Sequence, residues 1–313
     1  SAPGHPQRAH LDASLGTLAG RVAAAPISWG ICEVPGWGQM LPPDRVLSEM
    51  RDLGLPATEL GAPGFLPESA EQLTETLARY DLTLVGGFVP LVLHDTSQRA
   101  EMLARAVEVA DLFAGCGATR FVTAVVQDDA WSRPVPLDAT GMAVVGEGLA
   151  LVDEICRSRG LLQVLHPHVG TLVETARDVE LALEHTDVAW CLDTGHLVAG
   201  GVDPVAFAKE HAGRVGHVHL KDVVVRTAER VLAREISLVE GVKEGLFTVL
   251  GDGDVAVDEV ILTLEHQGYS GWYVLEQDTA LSEQPDLGTG PVRDVQRCVE
   301  YLRTTVVPRL PLH

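Results

Sequence analysis

Residues 188–223, VAWCLDTGHLVAGGVDPVAFAKEHAGRVGHVHLKDV, contain the pattern from which the fold class can be predicted. They include two largely apolar runs, Val188–His196 and Arg214–Val223, whose length and composition are typical of buried strands. Asp203-Pro204 between them marks the start of a helix. A strand, a helix and a second strand in this order predict two parallel strands of one sheet, each ending in polar side chains.

The same alternation of strand-like runs and amphipathic helical stretches extends in both directions through the chain. There are eight strand-like runs along the sequence. Eight such units predict a single (β/α)8 barrel, the TIM barrel of the α/β class, with the helices on the outside. The predicted strands are Ala24–Ile31, Ala57–Ala62, Leu82–Val89, Arg120–Val126, Leu161–His168, Val188–His196, Arg214–Val223 and Gly271–Gln277.

A doubly wound open sheet is the alternative architecture. It would carry a Gly-x-Gly-x-x-Gly turn or a similar ligand crevice after an early strand. Gly86-Gly87 in the third predicted strand does not supply that turn. The barrel is favoured because polar residues occur at the ends of many strands rather than around one crevice.

The domain limits follow from the same pattern. We expect residues 1–20 to be a mobile tail outside the fold, since this segment has neither an initiator Met nor the apolar stretch of a signal peptide. Residues 21–313 then form one barrel domain. The segment from about Val224 to Val257 interrupts the pattern after the seventh strand. We predict an insertion over the active-site mouth, because βα loops lie at that face; an external loop without a role is the alternative.

The composition restricts the class of partner. Hydrophobic residues make up 46% of the 313 residues, and no apolar run reaches the roughly 18 residues of a membrane-spanning helix. The net charge of −21 would repel nucleic acids and anionic membranes, so neither is an expected partner. A small neutral polyol or sugar is the expected ligand.

The five cysteines are widely spaced and include no Cys-x-x-Cys pair. They predict buried thiols in a reducing cytoplasm rather than disulfides or catalytic groups. They are Cys32, Cys116, Cys156, Cys191 and Cys298.

Residues that can bind a metal end four consecutive predicted strands. Adjacent parallel strands would bring these residues together at one end of the barrel. A lone buried His is usually a hydrogen-bonded core residue, but four such strand ends together favour a catalytic pocket with a metal. Imidazole and carboxylate ligands suit Mn²⁺, Co²⁺, Fe²⁺ or Zn²⁺. The strand ends are His166-Pro167-His168, Asp193-Thr194-Gly195-His196, His217-Val218-His219-Leu220-Lys221-Asp222 and Glu276-Gln277-Asp278.

These motifs resemble those of the xylose-isomerase-like sugar isomerase, epimerase and dehydratase barrels. The resemblance covers nearly all of residues 22–307 and is greatest to the inosose dehydratase branch, which acts on 2-keto-myo-inositol. The Asp-Thr-Gly-His motif at 193–196 and the His-Leu-Lys-Asp motif at 219–222 are the most specific. The remaining similar motifs are PISWG at 26–30, HPHVGT at 166–171 and FTVLGDG at 247–253.

The resemblance implies a metal site. Asp193, His219 and Glu276 match ligands of the family, and His166 takes the place of a fourth ligand that is usually a Glu. His196 matches a histidine that contacts the substrate. We expect the metal to be Mn²⁺ or Co²⁺, with Zn²⁺, Fe²⁺ and Mg²⁺ as alternatives.

The resemblance also implies a carbon–oxygen lyase that dehydrates a keto-inositol or a related keto-sugar through an enolate. An imidazole can act as acid or base near neutral pH. Lys221 could stabilise the enolate oxygen or donate to the leaving group, or it could merely pair with Asp222 or Glu276. The candidate catalytic residues are His168, His196 and Lys221, and the candidate substrate-binding residues are Trp29, Glu33, Asp222 and Asp278.

Two other functions are open on the sequence. A ketose or sugar epimerase or isomerase would use the same metal and enediolate chemistry. Epimerases of this family have two carboxylates flanking the metal, whereas one of these would be His166 here, and this favours the dehydratase. A non-catalytic sugar-binding barrel would keep the pocket without turnover. The apolar helix faces also lead us to expect a homo-oligomer, a dimer or a tetramer.

Overall fold

The computed structural model describes residues 5–311, and its centre is a closed barrel of eight parallel strands. The barrel strands are β1 (Val22–Ala24), β2 (Ala57–Glu59), β3 (Thr83–Leu91), β4 (Arg120–Val125), β5 (Leu162–Leu165), β6 (Ala189–Asp193), β7 (Val215–Leu220) and β10 (Tyr273–Leu275). Two short strands, β8 (Asp222–Val223) and β9 (Phe247–Thr248), pair antiparallel outside it. Strands β1 to β7 follow one another around the barrel, and β10 closes it between β7 and β1. The predicted (β/α)8 barrel is confirmed.

Helices cover the outside of the barrel. Several begin where the sequence provides a cap; for example, Asp203 accepts hydrogen bonds from the backbone N–H groups of Val205 and Ala206. The helices are α1 (Pro6–Leu15), α2 (Pro43–Asp52), α3 (Ala70–Ala78), α4 (Arg99–Gly115), α5 (Ala139–Arg157), α6 (Ala176–His185), α7 (Thr194–Ala199), α8 (Pro204–His211), α9 (Val225–Leu232), α10 (Leu238–Lys243), α11 (Val257–His266) and α12 (Pro291–Tyr301). Among residues 5–311, none of these helices has the length and apolar character needed to cross a membrane.

Strand alternation separates two kinds of core. Val22 and Ala24 of β1 belong to the large cluster formed with the helices, whereas Ala23 belongs to a small separate cluster with Ala57 and Val274 from neighbouring strands. Successive side chains of a strand point to opposite faces, so the small cluster fills part of the barrel interior. Its small residues leave the rest of the interior to the polar side chains described below.

The first strand is shorter and earlier than the predicted Ala24–Ile31. It ends at Ala24, and Pro26–Trp29 form a 3₁₀ turn that ends at Gly30, where φ is 85°. Pro26 has no N–H to donate to a neighbouring strand, and Gly tolerates the left-handed backbone that ends the turn. The apolar run continues through this turn, which is why the residue pattern alone extended the strand.

The N-terminal segment also differs from the expected mobile tail. The first four residues lie outside the described part of the chain, but α1 and a following 3₁₀ turn occupy 6–18. Leu11, Leu15 and Leu18 are buried in the large core. These leucines recur at three- and four-residue steps, so they form one apolar face that packs against the barrel.

The predicted insertion after the seventh barrel strand is confirmed. It consists of α9, α10 and the β8–β9 pair. Leu238 at the start of α10 contributes to the wall of the large cavity at the C-terminal ends of the strands. The insertion therefore lies on the catalytic face rather than on the outer surface.

We expect Leu15→Ala to lower the free energy of unfolding by about 3 kcal/mol, because it removes a fully buried side chain from the core. Urea denaturation followed by circular dichroism measures this change. The matched control is Leu287→Ala, since the Leu287 side chain is 82% exposed and its truncation leaves stability unchanged. Equal stability of both variants would show that α1 does not contribute to the core.

Candidate metal site and substrate cavity

Four side chains from four neighbouring strands converge inside the C-terminal end of the barrel. His166 follows β5, Asp193 ends β6, His219 lies in β7 and Glu276 follows β10. One ligand atom of each lies within 4.8 Å of the others. Asp193 Oδ2 is 2.9 Å from His166 Nε2 and 3.5 Å from His219 Nδ1, which is itself 3.4 Å from Glu276 Oε2. These are the four residues that the sequence predicts as metal ligands, and the structure brings them together.

The spacing of these atoms fits a single divalent metal. Ligands about 2.1 Å from an ion in a tetrahedral arrangement lie roughly 3.4 Å apart, close to the observed separations. Nδ1 of His219 is buried and has no hydrogen-bond partner, although two carboxylates face it. Burial would lower the pKa of His219, but Cys191, Glu276 and Glu59 outweigh burial and raise it. The surrounding carboxylates therefore stabilise a positive charge at this position, and a metal can supply that charge in place of a proton.

The local backbone fixes the orientation of Asp193. This residue ends β6 and caps the N-terminus of α7, where its Oδ1 accepts a hydrogen bond of 2.8 Å from the backbone N–H of His196. The other oxygen, Oδ2, is left to face His166 and His219. The predicted sixth strand extended to His196, but the cap starts a helix three residues earlier.

Lys221 holds the carboxylate side of the site. Its buried ammonium donates hydrogen bonds of 2.8 Å to Glu276 Oε1 and to Asp278 Oδ1. Burial opposes its charge, but Asp278 and Glu276 outweigh burial and raise the pKa of Lys221. Lys221 therefore pairs with Glu276, which is one of the alternatives predicted from the sequence. The other oxygen of Glu276, Oε2, faces His219.

His168 and His196 stack beside the metal site, with ring centroids 3.8 Å apart. Nδ1 of His168 donates to the carbonyl of Val169 at 2.6 Å, and the backbone N–H of Val169 donates to Nδ1 of His196 at 3.1 Å. Burial, together with His166 and Lys221, lowers the pKa of His168 to about 3. His168 is therefore a neutral ring whose Nε2 carries the free lone pair.

A cavity of about 580 Å³ opens next to these residues. Five of the residues predicted for the site line this cavity, namely Glu33, His166, His168, Glu276 and Asp278. Burial and Glu276 raise the pKa of Asp278 to about 6, against the opposing effect of Lys221. The cavity thus combines carboxylate and imidazole groups with a large apolar wall.

The structure does not bring two of the predicted substrate-binding residues to the cavity wall. Trp29 is fully buried in the 3₁₀ turn after β1. Asp222 accepts hydrogen bonds from the backbone N–H groups of Gly251, Gly253 and Val255, and so holds the loop before α11. We therefore assign neither of them a substrate contact.

Sequence reasoning missed three residues of this region. Glu59 on β2 accepts hydrogen bonds from His217 and His219. Phe88 and Trp131 stack at 5.9 Å in the cavity wall, with Trp131 also edge-on to His168. A carboxylate inside the apolar run Ala57–Ala62 was a usable signal for Glu59, whereas Trp131 lies in a long loop without any periodic pattern.

A closed (β/α)8 barrel with two imidazoles and two carboxylates at the C-terminal ends of its strands defines a metal-binding barrel enzyme. The chain belongs to the xylose isomerase-like TIM barrel family, whose model matches residues 47–303.

Relatives support this placement over most of the chain. The chain is 31% identical over 296 residues to an inosose dehydratase of Geobacillus kaustophilus, an alignment that covers 90% of this chain and 96% of the relative. It is 33% identical to the rhizopine catabolism protein MocC of Rhizobium meliloti, over 82% and 81% of the two chains. The structure of the IolI protein with a bound zinc atom superposes with a TM-score of 0.67 at 14% identity, covering 94% of this chain and all of the other.

We expect Asp193→Asn and Glu276→Gln each to reduce the bound divalent metal well below one equivalent and to abolish turnover, because each removes a charged group of the candidate site. Elemental analysis after dialysis measures the metal content. Asp153→Asn is the control, since Asp153 on α5 is a half-buried carboxylate that accepts a hydrogen bond from Gln163. Full metal content and activity in either ligand variant would mean that the metal site is misplaced.

Proposed function

We propose that this protein is a metal-dependent lyase that removes water from 2-keto-myo-inositol or a closely related keto-inositol. The observation that carries the proposal is the position of His168 in the cavity wall, next to the four-residue metal site. The inosose dehydratase from Geobacillus kaustophilus, similar over 96% of its length, supports the choice of substrate.

His166, Asp193, His219 and Glu276 would hold the metal. When bound, a divalent metal supplies a Lewis acid that polarises a carbonyl and makes the neighbouring C–H acidic. We propose Mn²⁺ or Co²⁺, because a ligand set of nitrogen and oxygen atoms without thiolates suits these ions.

His168 would transfer the proton. Its Nδ1–H is committed to the carbonyl of Val169, so Nε2 can accept the proton from the carbon next to the ketone. The same nitrogen can then return this proton to the β-hydroxyl, which leaves as water. The C–H and C–O bonds break, a C=C bond forms, and the histidine ends neutral, so that the product is an enone that can tautomerise to a diketone.

The other predicted catalytic residues would act through their neighbours. His196 lies against the ring of His168 and is held by the backbone N–H of Val169, so it fixes the position of His168. Lys221 donates a hydrogen bond to each of Glu276 and Asp278 and so orients both carboxyl groups. We therefore assign His196 and Lys221 positioning roles.

Residues of the cavity wall would bind the ring of the substrate. Asp278 and Glu33 offer carboxylates to its hydroxyl groups. Trp131 and Phe88 offer aromatic faces to its C–H side, a contact that suits a cyclic polyol.

The expected cytoplasmic location and the expected dimer or tetramer stay predictions.

The test is an ultraviolet assay on 2-keto-myo-inositol with the purified protein. We expect an absorbing enone or diketone to form with Mn²⁺ or Co²⁺, to stop after chelation and to resume when metal is added back. A product with the mass and absorbance of the substrate would instead identify an epimerase or isomerase. Metal binding without any turnover of inososes or ketoses would leave only the hypothesis of a non-catalytic sugar-binding barrel.

We expect His168→Gln to lower kcat about 100-fold or more while one equivalent of metal stays bound, because the proton acceptor is lost and the four ligands are kept. Steady-state kinetics and elemental analysis on the same sample separate the two effects. His185→Gln, at the end of α6 on the outside of the barrel, is the matched control with unchanged kcat. Normal turnover by the His168 variant would exclude the assigned role.

A further inference from the structure

We propose that Glu59 is a positioning residue of the metal site, which sets the tautomer of His219 and thereby the affinity for the metal. The inference rests on the metal site of the proposed function and goes beyond it, because Glu59 is not among the four ligands. The proposal concerns how tightly the site binds a metal, not which substrate is dehydrated.

The contact spans the barrel interior. Glu59 ends β2, and in the closed barrel β1 and β10 separate β2 from β7, which carries both histidines. A single oxygen, Oε1 of Glu59, accepts hydrogen bonds of 2.8 Å from Nε2 of His217 and from Nε2 of His219. All three side chains are nearly inaccessible to solvent. Sheet pairing alone does not produce this contact.

The direction of the hydrogen bond decides the chemistry of His219. The same Oε1 lies 2.8 Å from the Nε2 atoms of both histidines, and a single carboxyl proton could not serve both contacts, so the geometry fits an oxygen that accepts. An ionised carboxylate only accepts hydrogen bonds, so Nε2 of His219 carries a proton. The lone pair of a neutral ring is then on Nδ1, the atom 3.4 Å from Glu276 and 3.5 Å from Asp193.

This arrangement is what a metal-binding imidazole requires. A ligating His usually donates its other N–H to a carboxylate, which fixes the ring orientation and increases the basicity of the ligand nitrogen. Without Glu59 the proton could reside on Nδ1, and the ring would have to change tautomer before it could bind the ion.

The backbone is irregular at both ends of the contact. The pairing of β2 with β3 shifts register between Thr58 and Glu59, and the pairing of β6 with β7 shifts immediately before His217. Gly86 at the first shift has φ of 147°, and a Cβ there would lie 1.8 Å from the carbonyl oxygen of Arg120. Bulges re-aim side chains and concentrate next to active sites. The barrel therefore departs from regular pairing where the contact is made.

The opposing interpretation is that Glu59 and the two histidines are only a buried polar cluster that holds β2 and β7 together. In that case the loss of Glu59 lowers stability and leaves the affinity for metal unchanged, because no ligand is removed. Glu265 provides the matched control. Its side chain is 7% exposed and pairs with Arg21 at 2.7 Å, without being one of the residues of the metal site.

The experiment compares Glu59→Leu, Glu59→Gln and Glu265→Gln with the unmodified protein. The dissociation constant for Mn²⁺ is measured by competition with a chelator, and thermal melting is recorded in parallel. We expect Glu59→Leu to bind Mn²⁺ about 10- to 100-fold more weakly. Glu59→Gln should be intermediate, because it keeps an acceptor oxygen but loses the charge. Glu265→Gln should melt at a lower temperature with unchanged affinity.

A second readout follows the tautomer directly. In NMR spectra of the Zn²⁺-loaded protein, the Nε2–H proton of His219 should be protected from exchange and should disappear in Glu59→Leu. Unchanged affinity in both Glu59 variants would overturn the proposal, as would an equal loss in Glu265→Gln. If Glu59→Leu does not fold, Glu59→Gln decides by itself. No substrate is used, so a failure of the dehydratase assay would not affect this outcome.

Discussion

The site depends on how negative charge is balanced inside the barrel. Asp193, Glu276 and Glu59 are ionisable groups removed from water in the same interior, and buried carboxylates are costly unless a cation or a hydrogen bond offsets each of them. The ammonium of Lys221 balances the negative charge near Asp278, and hydrogen bonds from the two histidines of β7 stabilise the carboxylate of Glu59. The space between His219 and its two facing carboxylates is the part that the protein leaves to a metal.

The Asp-Thr-Gly-His motif shows how a short segment builds this balance. Asp193 caps a helix with one oxygen and faces the metal site with the other. Thr194 exchanges hydrogen bonds of 2.6 and 2.9 Å with the backbone of Lys221, which ties β6 to the end of β7. A Cβ on Gly195 would lie 2.5 Å from the Lys221 side chain, so only glycine lets that lysine pass to Glu276. Each of the first three positions of the motif thus has a separate physical reason.

The sequence predicted the features that depend on alternation and on strand ends. The barrel, the insertion and the convergence of four polar strand ends follow from periodicity and from parallel strands that end at one face, and the structure agrees on each. The choice of one ligand at each strand end follows from the resemblance to the family. The sequence did not predict contacts that depend on the closure of the barrel. Glu59 meets His219 only because β2 and β7 enclose one interior, and no spacing along the chain indicates that distance.

The predicted and the observed structure also differ at turns and in the N-terminal segment. Trp29 is a candidate substrate-binding residue on the sequence, but the 3₁₀ turn Pro26–Trp29 places its indole in the core. The lack of an initiator Met and of the apolar stretch of a signal peptide predicts a tail over residues 1–20, whereas the leucines of α1 pack into the core. Short elements contain too few residues for periodicity to distinguish a packed helix from an exposed segment.

The insertion is connected to the loop that carries His168. Arg234, between α9 and α10, pairs with both oxygens of Glu174 at 3.2 and 3.3 Å, and Glu174 accepts a hydrogen bond of 2.5 Å from the backbone N–H of Gly170. Arg234 adopts φ of 59°, a backbone conformation that non-glycine residues rarely take, so the surrounding contacts must hold it there. Gly170 lies two residues after His168, so the insertion supports the loop that positions this histidine. The insertion also forms part of the cavity wall through Leu238.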